Sequence, residues 1–193
     1  YTILGDSKQA IRLLSRVTRL APMDNTIRKR LIEMLRNDGQ NEETVQQHMD
    51  LANVYYLLAD LEGARNNYHV ALNLSRQIHS PRDQSVKILN HLADIELQSL
   101  NWKEAIKVYE QLRSLLPLDP GPRTALVDLY FRLGIPPAAV NEADAFLKLL
   151  DSENKSQDAE VFLDELINER PDNPNIQQLM TGYYISRNEF GTA

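Results

Sequence analysis

The chain has 193 residues, 42% of them apolar, and 27 acidic against 21 basic residues give a net charge of -6. It contains no cysteine, which excludes disulfides, thiolate metal sites and cysteine nucleophiles. The acidic balance argues against DNA or RNA as a partner, and no apolar run reaches the roughly 18 residues of a membrane-spanning helix, so we expect no membrane insertion by this segment.

The first predicted helix, residues 7–20, carries a row of arginines. Arg12, Arg16 and Arg19 recur there at helical spacing. They belong to a basic stretch, because residues 1–37 contain eight Lys or Arg and only three Asp or Glu. Such a row is ordinarily a solvated face. The alternative is a docking stripe for an acidic partner or a neighbouring module.

Helical periodicity continues along the rest of the chain, and no run of alternating β-branched residues predicts a strand. Asp119-Pro120 and Asn173-Pro174 each place a capping side chain before a proline at the first helical position. The predicted helices span 7–20, 25–37, 42–60, 62–78, 82–99, 102–115, 120–133, 137–150, 156–169 and 174–187. Ten helices with short connections predict an all-α protein.

A repeated pattern of small and aromatic residues groups these helices into hairpins. In residues 86–119 a small residue, Ala105, is followed four positions later by an aromatic residue, Tyr109. Residues 45–78 repeat this with Ala64 and Tyr68, and residues 120–153 place Phe146 after Ala139. A small residue where two helices cross lets their backbones approach closely. The 34-residue pattern resembles the tetratricopeptide repeat family, in the degenerate form of bacterial arrays. The resemblance implies a solenoid, a right-handed α-α superhelix of about ten antiparallel helices.

The small residue of the repeat recurs at irregular intervals. It falls at Ala10, Thr44, Ala64, Ala105, Ala139, Ala159 and Ala193, with spacings of 34, 20, 41, 34, 20 and 34 residues. We interpret the alanines at 10, 64, 105, 139 and 159 as structural positions. Because 20 residues cannot hold a hairpin, we expect the helices near 42–60 and 137–150 to serve two repeats each. The chain departs from the family where Thr44 replaces Ala and where Glu96 replaces an aromatic residue.

The irregular spacing occurs twice, which predicts an internal duplication within one solenoid segment, residues 1–193. At an offset of 95 residues, Arg28 aligns with Arg123 and Gly39 with Gly134. The predicted copies are about residues 10–104 and 105–193. The alternative is chance alignment within an array of similar helices.

The two ends fall inside repeats. Tyr1 copies the spacing of an aromatic residue late in a first helix, and Ala193 occupies the small position of a second helix. Solenoids end in polar capping repeats, and neither end carries one. We therefore expect the segment to be truncated at both ends, with the parent protein continuing in both directions.

The sequence contains none of the common catalytic motifs: no Gly-rich phosphate loop, no HExxH and no GxSxG. The four histidines, His48, His69, His79 and His91, lack the spacing of metal ligands and are interpreted as surface or packing residues. We predict that the chain is not an enzyme and needs no cofactor or metal. Its composition is compatible with any compartment, and the cytoplasm is the default.

The family resemblance implies that the first helix of each repeat lines a concave groove. The partner-binding residues carried over from it are Lys29, Arg36, Asn53, Tyr56, Asn90, Asp94, Leu97, Asp128, Phe131 and Arg132. Exposed aromatic residues dominate many interfaces, so Tyr56 and Phe131 are the strongest candidates. The alternative is that both pack on the next helix pair.

The predicted function is a non-catalytic scaffold that binds a protein or peptide on the concave face. The alternative is a regulatory or sensory array fused to an enzymatic or DNA-binding domain outside this segment. Capture of a chaperone's C-terminal carboxylate is rejected, because Glu33, Asp94 and Asp128 would repel it. These three acids favour a basic or polar peptide.

Overall fold

The structure, a computed structural model, describes residues 4–79 and 81–187, with side chains from Ser7 onward. Within these ranges it contains ten helices and no strand. The helices are α1 (Leu4–Leu20), α2 (Asn25–Asn37), α3 (Asn41–Leu57), α4 (Leu61–Gln77), α5 (Arg82–Gln98), α6 (Trp102–Leu115), α7 (Pro120–Arg132), α8 (Pro136–Ser152), α9 (Ser156–Glu169) and α10 (Pro174–Ser186). The predicted all-α class is confirmed.

Side-chain caps fix several helix starts. The Asp24 carboxylate accepts from the backbone N–H groups of Thr26 and Ile27 at 2.9 and 3.0 Å. Asp119 caps α7 through the Gly121 N–H at 2.9 Å. Each cap satisfies backbone donors that have no partner within the helix.

Left-handed residues end most of the helices. Gly39 and Gly134 have φ of +75° and +71°, after α2 and α7, where a side chain would be strained. Leu100 occupies the same conformation after α5, with φ of +56°. Its turn is closed by bonds from the Leu100 N–H to Leu97 and from the Asn101 N–H to Glu96. The turns at Gly39 and Gly134 bring α3 back onto α2 and α8 back onto α7.

The helices form two compact units, with α1 to α5 in the N-terminal unit and α6 to α10 in the C-terminal unit. In each unit, every helix packs against the next one in the chain, and α10 also contacts α8. Ala64, Ala105, Ala139 and Ala159 are fully buried, whereas Ala10 on α1 is only partly buried. Four of the five alanines interpreted as structural positions therefore lie in the core.

Glu96 stands where the family pattern has an aromatic residue, and its contacts explain this difference. The Glu96 side chain is buried on α5, and its carboxylate accepts from Arg65 on α4 at 2.6 Å. Asn101 donates to the second carboxylate oxygen at 3.0 Å. An ion pair with an additional donor thus occupies the place where the family pattern has an aromatic ring, and it joins α4 to α5.

Candidate partner-binding surfaces

A depression of about 730 Å³ lies between α7 and α9 in the C-terminal unit. Its lining includes Asp128 and Arg132, two of the residues predicted to bind a partner, together with Thr124 and Arg170. The Asp128 carboxylate accepts from Arg132 Nε and from Arg170 Nη2, each at 2.5 Å. Asp128 is therefore already neutralised within the protein, and this acid does not by itself call for a basic partner.

Phe131 does not lie free on this surface. It is partly buried against the core of the C-terminal unit, and the Arg170 guanidinium lies 5.4 Å from the centre of its ring. Arg132 makes a similar contact with Trp102, at 5.5 Å. Both contacts are cation–π arrangements that hold these cations in place. Phe131 therefore packs within the C-terminal unit, and its role in partner binding stays a prediction.

A second depression, of about 620 Å³, lies between α8 and α10. Leu147, Leu179 and Tyr183 contribute buried apolar surface to its floor. Exposed amide side chains, Asn141 and Gln178, stand at its rim. An apolar floor with a few polar groups around it is the usual composition of a ligand-binding cleft. None of the ten partner-binding residues carried over from the repeat pattern lines this groove, because they lie on α2, α3, α5 and α7.

The predicted residues of α3 in the N-terminal unit are engaged with neighbouring helices. The Tyr68 hydroxyl on α4 donates to Asn53 at 3.2 Å, and the Gln98 amide on α5 donates to the Tyr56 hydroxyl. Burial, followed by the nearby Tyr56, Asp50 and Asp94, raises the pKa of Tyr68 to about 12.

The predicted partner-binding residues of α5 are Asn90, Asp94 and Leu97. Asn90 and Asp94 are exposed, and Leu97 is partly buried. The structure therefore brings Asn53 and Tyr56 into contact with adjacent helices, while it leaves Asn90 and Asp94 on the open surface of α5.

The predicted residues of α2 face α3. The Lys29 ammonium lies 5.7 Å from the centre of the Tyr55 ring, and Arg36 lies 3.5 Å from Nε2 of the buried His48. Burial lowers the pKa of His48, and Arg36 lowers it further, while a hydrogen bond with Asn67 opposes both. Arg36 also lines a depression of about 380 Å³ beside α4.

Sites of two other kinds are absent from the described part of the chain. No helix in the described ranges is long and apolar enough to cross a membrane. No group of three or more His, Cys, Asp or Glu side chains among these residues could hold a metal ion.

Comparisons with known proteins place the chain among helical repeat proteins. No protein-family profile matches it. Tetratricopeptide repeat protein 21A of Mus musculus is 33% identical over 94 residues, which is 47% of this chain and only 7% of that protein. A Podosopora anserina structure described as a putative kinesin light chain with nearly identical TPR-like repeats has a TM-score of 0.56 at 11% identity, covering 96% of this chain and 97% of the other. A single-residue variant of the same protein gives 0.55 at 11% identity, with 96% of each chain covered.

The sequence pattern and the structure agree with these comparisons. The 34-residue pattern recurs along the chain, and successive helices form antiparallel hairpins in both units. Four of the repeat alanines, Ala64, Ala105, Ala139 and Ala159, are fully buried. Together with the similarity to the Podosopora anserina structure, these features show that the chain has an all-α fold of successive helical hairpins, similar to that of TPR-like repeats.

Proposed function

We propose that the chain is a non-catalytic scaffold that binds a protein or peptide partner. The observation that carries this proposal is the depression between α7 and α9, because it contains Asp128 and Arg132, which the repeat pattern had assigned to partner binding. The fold of helical hairpins supports it, since stacked repeats create extended surfaces suited to binding.

We propose a partner-binding surface on the concave face of the repeats in each unit. In the N-terminal unit it consists of Lys29, Arg36, Asn53, Tyr56, Asn90, Asp94 and Leu97, and in the C-terminal unit of Asp128, Phe131 and Arg132. Tyr56 and Phe131 are partly buried and shape the surfaces of their own units. Arg132 presents an exposed cation.

The charges around the α7–α9 depression indicate the chemistry of the partner's contacting side chains. Asp128 is neutralised by two arginines, and Glu169 is paired with Arg170 at 2.8 Å. Glu165 is exposed, also lines the depression, and forms no ion pair within the described part of the chain. We expect a polar peptide with one basic side chain near Glu165, because an ion pair at the rim of an interface contributes mainly to specificity.

A phage-displayed random peptide library, selected on the 193-residue protein, tests the proposal. We expect enriched peptides to bind the original protein and to lose affinity about tenfold or more for Thr124→Arg, because the larger side chain would fill the α7–α9 depression. Gln178→Arg blocks the α8–α10 groove in the same way, and His69→Arg changes an exposed residue of α4 outside both depressions.

Each variant first needs an unchanged helical circular dichroism spectrum. Loss of binding in Thr124→Arg alone supports the α7–α9 surface. Loss in Gln178→Arg alone would move the binding site to the α8–α10 groove. If no peptide is enriched, or if all three variants bind equally well, the proposed surface is wrong.

A further inference from the structure

Helix α1 carries an exposed apolar row. Leu13, Val17 and Leu20 are 64%, 37% and 80% exposed. Their spacing of four and three residues places them on one face of the helix. Single exposed apolar residues are common, but an aligned row of three on one helix is the pattern of a surface that another element covers.

The opposite face of α1 is already covered by α2. Ile11 is 6% exposed and packs with Leu31 and Leu35 of α2. At about 100° per residue, Leu20 lies roughly 180° around the helix from Ile11. The exposed row therefore points away from α2, and α1 is apolar on two sides.

Three arginines run alongside the exposed row. Arg12, Arg16 and Arg19 are all exposed, and none of them forms an ion pair in the described part of the chain. Among the described residues, only Arg19 of these three forms a side-chain hydrogen bond, from its Nε to the backbone oxygen of Ser15 within the same helix. Three uncompensated guanidinium groups beside an apolar row favour a partner that supplies carboxylates, which arginine binds in bidentate geometry.

We infer that this face of α1 docks an amphipathic helix of a partner protein, whose apolar row is flanked by Asp or Glu. A helix fits because the row spans about 10 Å along α1, at 1.5 Å per residue, and offers ridges for another helix. An acidic flank fits because the arginines lie on one side of the row only, so they also fix the orientation of the partner. This surface is separate from the proposed groove and does not depend on it.

Synthetic helical peptides provide the probe. One peptide carries leucines at positions i, i+4 and i+7 with glutamates along one flank, and its counterpart carries lysines in place of the glutamates. We expect the 193-residue protein to bind the glutamate peptide in fluorescence anisotropy and to bind the lysine peptide at least about tenfold more weakly. Raising the salt concentration should weaken the glutamate peptide's binding, because exposed charges are screened.

Two variants test which side chains carry the binding. Val17→Ser combined with Leu20→Ser removes apolar contact, and Arg16→Glu reverses one charge; each should weaken the glutamate peptide about tenfold. Val161→Ser is the matched control, because Val161 is 53% exposed but lies on α9. All these residues are exposed, so the unfolding midpoints should stay close to that of the original protein.

Three results would overturn the inference. One is failure of the glutamate peptide to bind, and another is equal binding of the lysine peptide. The third is concentration-dependent self-association in sedimentation velocity that Leu20→Ser abolishes, because the occupant would then be a second copy of the chain. Variants of the α7–α9 depression should leave peptide binding at α1 unchanged, so this test and that of the proposed function fail independently.

Discussion

Arg28 and Arg123 lie 95 residues apart and make the same contact. Nη1 of each donates to Oε1 of the residue 19 positions later, at 2.9 Å to Gln47 and 2.7 Å to Glu142. Both arginines are buried, and the Nε atom of each is without a hydrogen-bond partner among the described residues. In both cases the contact joins a 13-residue helix to the 17-residue helix that follows it.

The helix bounds share this offset. α7 begins and ends 95 residues after α2, and α8 begins and ends 95 residues after α3. We propose that the chain arose by duplication of a five-helix unit, with copies at about residues 10–104 and 105–193. The paired arginine contact supports this proposal, since a buried guanidinium needs a specific acceptor at a specific place.

The buried contact predicts unequal effects of two substitutions at Glu142. Glu142 also accepts from Arg113, so Glu142→Leu leaves Arg123 buried without a carboxylate and should lower the free energy of unfolding by about 3–5 kcal/mol. Glu142→Gln should cost about 1–2 kcal/mol, because an amide oxygen serves Arg28 at the equivalent position. Urea denaturation, followed by a signal from the C-terminal unit, measures the free energy of unfolding of both variants.

Gln47→Leu is the matched control in the N-terminal unit. Arg28 retains the Asp50 carboxylate at 3.1 Å and the Pro22 backbone oxygen at 3.1 Å. Gln47→Leu should therefore cost less than Glu142→Leu. Equal losses for Glu142→Leu and Glu142→Gln would show that the oxygen acceptor retained by glutamine does not stabilise the buried Arg123.

A second prediction concerns the left-handed residue after α5. Leu100 has φ of +56° and is 65% exposed, so its side chain bears backbone strain and contributes little packing. Leu100→Gly should raise the free energy of unfolding by about 1 kcal/mol, after allowing for glycine's greater freedom in the unfolded chain. Thermal and urea unfolding at neutral pH measure the gain.

The reverse substitution provides the control for that strain. Gly134 has φ of +71° and would meet no atom within 4 Å if it carried a Cβ. Gly134→Ala should therefore lose about 1 kcal/mol through the backbone alone. If Leu100→Gly destabilises the protein, the exposed leucine contributes contacts that outweigh the strain.

Local signals in the sequence predicted the helices well. Each predicted helix bound lies within three residues of the observed one, because caps, prolines and periodicity act over a few residues. The buried repeat alanines were predicted for the same reason. The role of Glu96 was not, since its partner Arg65 lies 31 residues earlier and only packing brings them together.

The sequence predicted the partner-binding surface less well than it predicted the helices. Repeat position assigned Phe131 to an open groove, but Arg170, 39 residues further on, covers its ring. The α8–α10 groove depends on which helix faces remain open after packing, and no local pattern encodes that. Asp128 and Arg132 do lie together, because they are four residues apart on one helix.

A third prediction concerns pH. Burial lowers the pKa of His48 below its ordinary value of 6.5, with Arg36 acting in the same direction against the hydrogen bond to Asn67. The folded protein thus holds His48 neutral, whereas the unfolded chain takes up a proton near pH 6.5. The contribution of His48 to the free energy of unfolding is therefore fully present above pH 6.5, and it is lost as the pH falls through the lowered pKa.

We expect the free energy of unfolding to fall between about pH 7.5 and about pH 5.5, and that of His48→Gln to fall less over the same interval, because glutamine has no proton to gain there. His69→Gln replaces an exposed histidine of α4 and is the matched control, which should follow the original protein. Parallel curves for all three proteins would exclude His48 as a source of pH dependence.

The last prediction concerns helix crossing in the C-terminal unit. Ala105 on α6 is fully buried, so Ala105→Leu must displace neighbouring atoms and should lower the free energy of unfolding by about 1–3 kcal/mol. Ala10→Leu on α1 is the matched control, because Ala10 occupies the same repeat position but is only partly buried. Urea denaturation of both variants, with unchanged helical content as a prerequisite, measures the difference. A smaller loss for Ala105→Leu than for Ala10→Leu would mean that close helix approach at the small position does not limit the packing of this array.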